Sequence, residues 1–242
     1  MDDTDAFDDP VRRPTGTRPL LGQTVLVVED SHYACDALRL LCLRSGARIR
    51  RADSMKSARR HLRIYRPTVL IVDVGLPDGS GADLIEEAAN TSPRVQVILG
   101  MSGDAVSEEL AIAAGADGFL AKPILSLAQF QTAILTRLPT AWRPIGPHAV
   151  SDETVCPDPI AYRDDMAHVA EVLTHGADDR ILSYVAQFLT GVAHSASDRD
   201  LEEAALSLTR EQAAGRPVGS DAARLAGLVQ DRLHGSAMAV AG

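Results

Sequence analysis

TVLIVDVGLPDGSG, residues 68–81, is the stretch on which the fold turns. Behind Pro67 it opens on a run of Val, Leu and Ile, the composition of a strand buried on both faces. Asp73 stands where that run stops. A turn rich in glycine and proline follows, and the pattern predicts a helix from about Gly81. Ionised carboxylates are costly to bury, so an acid at the end of a buried strand needs a reason. Taken alone, Asp73 reads as well as a bland helix cap or loop acid as it does as a functional carboxylate. Its partners elsewhere in the chain change that balance.

Outward from this stretch, strands and helices alternate. TVLVV (24–28) is an earlier buried strand ending in two acids, Glu29 and Asp30. Ser31 is placed to cap a helix striped by Ala34, Leu38, Leu41, Cys42 and Ser45 and ended by Gly46. A short edge-type strand (47–52) and a helix (54–65) lead to the Asp73 strand. A helix over 82–90 precedes VQVIL (95–99), which closes on Gly100, Met101 and Ser102. Val106, Leu110, Ala113 and Ala114 mark the next helix, and GFLA (118–121) runs into Lys122-Pro123. Leu127, Phe130, Ile134 and Leu138 stripe a helix capped by Ser126. This alternation predicts an α/β unit, a five-stranded doubly wound parallel sheet covered on both faces.

Composition narrows the function classes. The chain has 242 residues, is 45% hydrophobic and carries a net charge of −9. Its mean hydropathy is near zero, and no apolar run approaches the ~18 residues of a membrane span. The acidic start, MDDTDAFDDP, has no apolar segment of a secretory signal. Cys35, Cys42 and Cys156 have neither disulfide-framework nor metal-ligand spacing, so a reducing compartment, the cytoplasm, is expected.

In open parallel sheets, sites form beyond the carboxyl ends of the strands. Glu29 and Asp30, Asp73, Ser102 and Lys122 all stand at such ends, so the fold would gather them on one edge. Three carboxylates raise one another's pKa unless a cation joins them. An all-oxygen donor set without metal-type Cys or His suits Mg²⁺. Lysine is the other compensating charge. The chain uses 22 arginines but only two lysines, Lys56 and Lys122, which suggests that a compact ammonium is needed at the second.

These residues carry a resemblance to the receiver domain of two-component response regulators, which are CheY-like. The matching elements are LVVED with its acidic pair, VDVGLPDGSG with Asp73, Ser102 followed by Gly103, and GADGFLAKP with Lys122-Pro123 after an aromatic. The resemblance implies a flavodoxin-like fold over residues 21–138. It also implies that Asp73 accepts a phosphoryl group from a histidine kinase or phosphotransfer protein. Glu29, Asp30, Asp73 and the carbonyl of Gly75 would hold Mg²⁺. Ser102 and Lys122 would bind phosphoryl oxygens, and Ser102 and Phe119 would be the switch pair. Such a domain is a phosphoacceptor and not an enzyme with turnover. Gly75 replaces the larger side chain common at its position, which implies a more open mouth to the site.

Residues 1–20 read as a disordered tail, and 139–158, with prolines at 139, 144, 147 and 157, as a semi-rigid linker. Beyond it, 159–242 reads as a small all-α helical bundle. The helix stripes there are Met166, Val169, Ala170 and Leu173; Ile181, Val185, Phe188 and Val192; Leu201, Ala204, Ala205 and Leu208; and, behind a Ser220 cap, Leu225, Leu228 and Val229. Residues 151–242 hold 7 basic against 15 acidic side chains, so −8 of the net charge lies here. A duplex binder needs a basic face. The expected partner of this module is a protein, not DNA and not a membrane. QDRLHGSA (230–237) weakly resembles the motif of histidine phosphotransfer domains, with Asp231 in the acceptor's place, His234 for the lysine and Gly235 for the glycine. The expected function is a phosphorylation-controlled signalling protein. The alternative is an unphosphorylated pseudo-receiver serving as a structural adaptor.

Overall fold

A computed structural model describes residues 13–104, 106–146, 151–175 and 178–239. The elements follow the order β1 (Thr24–Val28), α1 (His32–Ser45), β2 (Arg48–Ala52), α2 (Met55–Ile64), β3 (Val69–Asp73), then a two-rung hairpin of β4 (Gly75–Leu76) and β5 (Gly79–Ser80). They continue with α3 (Gly81–Asn90), β6 (Val97–Ser102), α4 (Val106–Ala113), β7 (Gly118–Ala121) and α5 (Leu127–Leu135). The main sheet runs β2-β1-β3-β6-β7, with every pairing parallel. It is the expected five-stranded doubly wound sheet.

Successive strand residues feed opposite faces, as a pleated strand requires. Val25, Val27, Ile71 and Leu99 pack with Leu38, Leu41, Phe130 and Ile134 under α1 and α5. Leu26, Val28, Leu70 and Ile98 pack with Leu84 and Ile85 on the other side. All five residues of β3 are buried, which explains its unbroken apolar run. Cys35 and Cys42 lie in the core, where burial pushes both thiols up to about 12.

Several sequence expectations need correction. The strand expected at 95–99 runs from Val97 to Ser102, so Gly100, Met101 and Ser102 belong to it. The ladder to β3 and β7 carries those residues along. The disordered tail does not reach residue 20: Leu20 is fully buried and its N–H bonds the Ser45 carbonyl at 2.9 Å. A two-residue apolar pair is too short to show periodicity, yet long enough to plug the end of α1. Residues 1–12 lie outside the described residues. Ser220 lies inside its helix instead of capping it.

The linker is not a free spacer either. After a 3₁₀ turn (Thr140–Trp142), residues 151–158 return to the α/β unit. There Thr154 bridges Ser126, Val155 N–H bonds the Leu125 carbonyl at 2.9 Å, and the Val155 side chain is buried. Pro147 lies outside the described residues. This return path starts the tail beside α1, where Asp158 N–H donates to Asp36 Oδ2 at 3.0 Å.

The tail comprises α6 (Pro159–His175), α7 (Asp179–Ala196), α8 (Arg199–Ala213) and α9 (Gly219–Ala239). Met166, Val169, Val185, Leu189, Leu201, Leu208 and Val229 form its own core. Asp178 and Asp198 cap α7 and α8, each accepting an N–H three residues on. This bundle does not hang free. α6 packs on α1, and α7 reaches the loop edge of the sheet.

Candidate functional site

Parallel strands deliver their C-terminal residues to one edge, and that edge is where the acids meet. Glu29 and Asp30 follow β1, Asp73 ends β3, Ser102 ends β6 and Lys122 follows β7. Carboxylate oxygens of Glu29, Asp30 and Asp73 lie within 4.8 Å of one another. Lys122 Nζ is 2.9 Å from Asp73 Oδ2 and 2.7 Å from Glu29 Oε2. Among the described residues the Lys122 ammonium is the one partner of Glu29 Oε2, which accepts no other hydrogen bond. Glu29 Oε1 accepts from the Ser31 N–H at 3.0 Å.

The electrostatics follow from crowding. Burial pushes the Glu29 carboxyl well above its ordinary range, and the Lys122 charge opposes that push. Burial and the neighbouring Asp73 raise Asp30 to about 6, against the Tyr184 hydrogen bond. For Lys122, burial works to lower the pKa, but Asp73 and Glu29 together outweigh it and hold the ammonium charged. One ammonium among three carboxylates leaves the site short of positive charge. Hard oxygen donors and that deficit of positive charge fit a divalent cation of the Mg²⁺ type.

Gly75 lies beside Asp73, its N–H 3.4 Å from Asp73 Oδ1. Ser102 lines the same cavity, and its Oγ accepts from the Asp104 N–H at 3.2 Å. Phe119 stands apart from these residues. It is half-buried on the α4 side, where a Cβ on Gly100 would lie 3.2 Å from its ring.

The tail covers this edge, which the sequence did not reveal. Asp165 on α6 is fully buried. It accepts from Ser31 Oγ (2.8 Å), His32 N (2.7 Å) and Tyr33 N (3.1 Å), and pairs with His32 Nδ1 at 3.2 Å. The first N–H groups of a helix have no partner within it. A carboxylate from α6 therefore completes the N-terminus of α1, where the helix dipole favours negative charge. Tyr184 on α7 donates its hydroxyl to Asp30 Oδ2 at 2.8 Å. One turn on, the Gln187 amide fills the space beside Gly75, where an added Cβ would lie 2.2 Å from Nε2. The mouth at Gly75 is thus occupied by Gln187 and is not simply open. Gly191 continues the same face, its Cα 3.8 Å from where a Cβ on Gly103 would stand.

Asp231 is exposed on α9, and the helix that faces Asp73 is α7. None of the described side chains of the QDRLHGSA segment, residues 230–235, lines the cavity at this edge. Sequence reasoning missed Asp165, Tyr184 and Gln187. A usable signal was present: Asp165 interrupts the apolar stripe of Tyr162, Met166 and Val169, where a solvated acid has no place.

Residues 25–135 match the family described as the response regulator receiver domain. This segment is a receiver domain. A probable transcriptional regulatory protein, TcrX of Mycobacterium tuberculosis, is 35% identical over 101 residues, 41% of this chain and 43% of its own length. The KDP operon transcriptional regulatory protein KdpE of Escherichia coli is 27% identical over 158 residues, 65% of each chain. The match thus spans less than two thirds of either relative. Among solved structures, a putative response regulator from Chloroflexus aurantiacus is 30% identical with TM-score 0.44, covering 48% of this chain and 98% of that one. The receiver domain of the sensor histidine kinase PA1611 from Pseudomonas aeruginosa, with magnesium coordinated in its active-site cleft, is 24% identical with TM-score 0.44, covering 48% and 96%. The receiver accounts for the sheet and its acidic edge. The α6–α9 module lies outside the family match.

Proposed function

We propose that this protein is a response regulator in which phosphorylation of Asp73 controls the docking and partner binding of the α6–α9 module. The observation that carries this reading is the Lys122 ammonium held between Asp73 and Glu29, with Asp30 and Ser102 lining the same cavity. A carboxylate so placed is a positioned nucleophile, and phosphoryl transfer depends on positioning and charge neutralisation more than on covalent chemistry by the protein. An Asp73 oxygen attacks phosphorus, the bond from phosphorus to the donor's histidine nitrogen breaks, and the electron pair leaves with that nitrogen. Lys122 and the Ser102 hydroxyl bind phosphoryl oxygens. Glu29, Asp30, Asp73 and the Gly75 carbonyl would hold Mg²⁺, which when bound neutralises phosphoryl charge.

The donor is a histidine kinase or phosphotransfer protein, and the protein is a phosphoacceptor without turnover on a separate substrate. The two named relatives are transcriptional regulators. In this chain 7 basic against 15 acidic side chains in residues 151–242 favour a protein partner over DNA. No described helix is long and apolar enough to cross a membrane, and the two buried, unpaired thiols suit the cytoplasm. Against the pseudo-receiver reading stands the full acidic and lysine set. With Mg²⁺ and a small acyl phosphate, intact-mass analysis should show one phosphoryl group added to the full chain and none to Asp73→Asn. Equal labelling of both overturns the reading.

A further inference from the structure

The receiver edge and α7–α8 enclose a cavity of about 670 Å³, into which Asp73, Ser102 and Lys122 open from one wall and Gln187, Thr190 and Gly191 from the other. Gln187 is exposed within it and forms no hydrogen bond among the described residues. Its amide has taken the space beside Gly75, two residues past Asp73. Of the glycines along this contact, Gly75 is the one whose added Cβ would run into α7, at the Gln187 amide.

We propose that Gln187 promotes hydrolysis of the Asp73 acyl phosphate, so that the C-terminal module limits the lifetime of its own receiver's signal. The proposal rests on Asp73 being the phosphoryl acceptor. An amide is the uncharged side chain that donates and accepts at once. Its Oε1 can accept a hydrogen from a water while Nε2 donates to a phosphoryl oxygen, and glutamine orients the attacking water in this manner in GTP-hydrolysing proteins. A carboxylate there would repel the phosphoryl group. An ammonium would retain it. The cavity keeps room for both phosphoryl group and water.

In the step, water oxygen forms a bond to phosphorus and the bond from phosphorus to Asp73 oxygen breaks. The electron pair returns to the Asp73 carboxylate, and the water proton ends on the released inorganic phosphate. No co-reactant beyond water is needed. Gln187 acts here directly, on the attacking water and on a phosphoryl oxygen. Tyr184 and Asp165 hold α7 and α6 in register over the site.

The experiment uses the full chain, labelled with a small acyl phosphate and Mg²⁺, then freed of donor and followed by intact mass. Gln187→Ala and Gln187→Met are compared with wild type, the methionine keeping length and apolar packing without hydrogen bonding. We expect both variants to gain label at least as fast as wild type and to lose it about tenfold more slowly, about one decade of barrier. A merely occluding Gln187 would give the opposite sign, since loosening the cover admits water and shortens the lifetime. Loss at the wild-type rate or faster in both variants overturns the proposal. Absence of label on wild type and variants alike overturns the acceptor assignment at Asp73, and the hydrolytic role with it.

Discussion

Tyr184, on the second helix of the C-terminal module, donates its hydroxyl to Oδ2 of Asp30, a carboxylate of the receiver's acidic cluster, at 2.8 Å. The two residues are 154 positions apart. Their bond makes one carboxylate serve both the candidate cation site and the docked module. Cation binding and docking are therefore linked through Asp30.

That linkage gives the first prediction. Tyr184→Phe removes the hydroxyl while keeping the ring near Phe188. Asp30 Oδ2 is then free for a cation, and a hydrogen bond of about 1 kcal/mol no longer opposes binding. Mg²⁺ should bind roughly fivefold more tightly in a calorimetric titration of the full chain. Unchanged or weaker affinity would show that the hydroxyl does not compete.

The second prediction concerns the carboxylate that completes α1 from another module. Asp165→Ala strands the His32 and Tyr33 N–H groups and the Ser31 hydroxyl. Loss of a capping acceptor costs about 1–2 kcal/mol, which for a chain of this size lowers Tm by roughly 2–8 °C. The same variant should expose the 139–158 linker to trypsin, because the module loses its main polar anchor on α1. A wild-type Tm and cleavage pattern together would refute the anchoring role.

A third prediction isolates the module's own polar centre. Asp198 caps α8 and accepts from Tyr162 on α6 (2.7 Å) and from Arg232 Nε on α9 (2.8 Å). The Arg232 hydrogen bond is the main cause holding its carboxyl down at about 2, from an ordinary 3.8. A depressed native pKa contributes stability that is present above the unfolded value, near 4, and is lost as pH falls through about 2. Asp198→Asn should therefore melt below wild type at pH 7, and the gap should close as pH falls from 4 to 2. Acid titrations of both proteins by circular dichroism would decide it, and a pH-independent gap would remove the charge from the explanation.

What could be read from the residues alone was whatever local composition and chain order dictate. Runs such as TVLVV and TVLIV are apolar because both faces of a parallel strand are covered, and acids at their ends must meet because parallel strands finish on one edge. The fold, Asp73 and its acidic and lysine neighbours were legible for that reason. The course of 151–158 back to the receiver, the buried Leu20, and the placing of Asp165, Tyr184 and Gln187 over the site were settled by tertiary packing. Each depends on a polar or isolated residue meeting a group more than a hundred positions away, or on a contact too short to show a period. A single glutamine on a helix face carries no mark of which wall it will meet until that helix is docked.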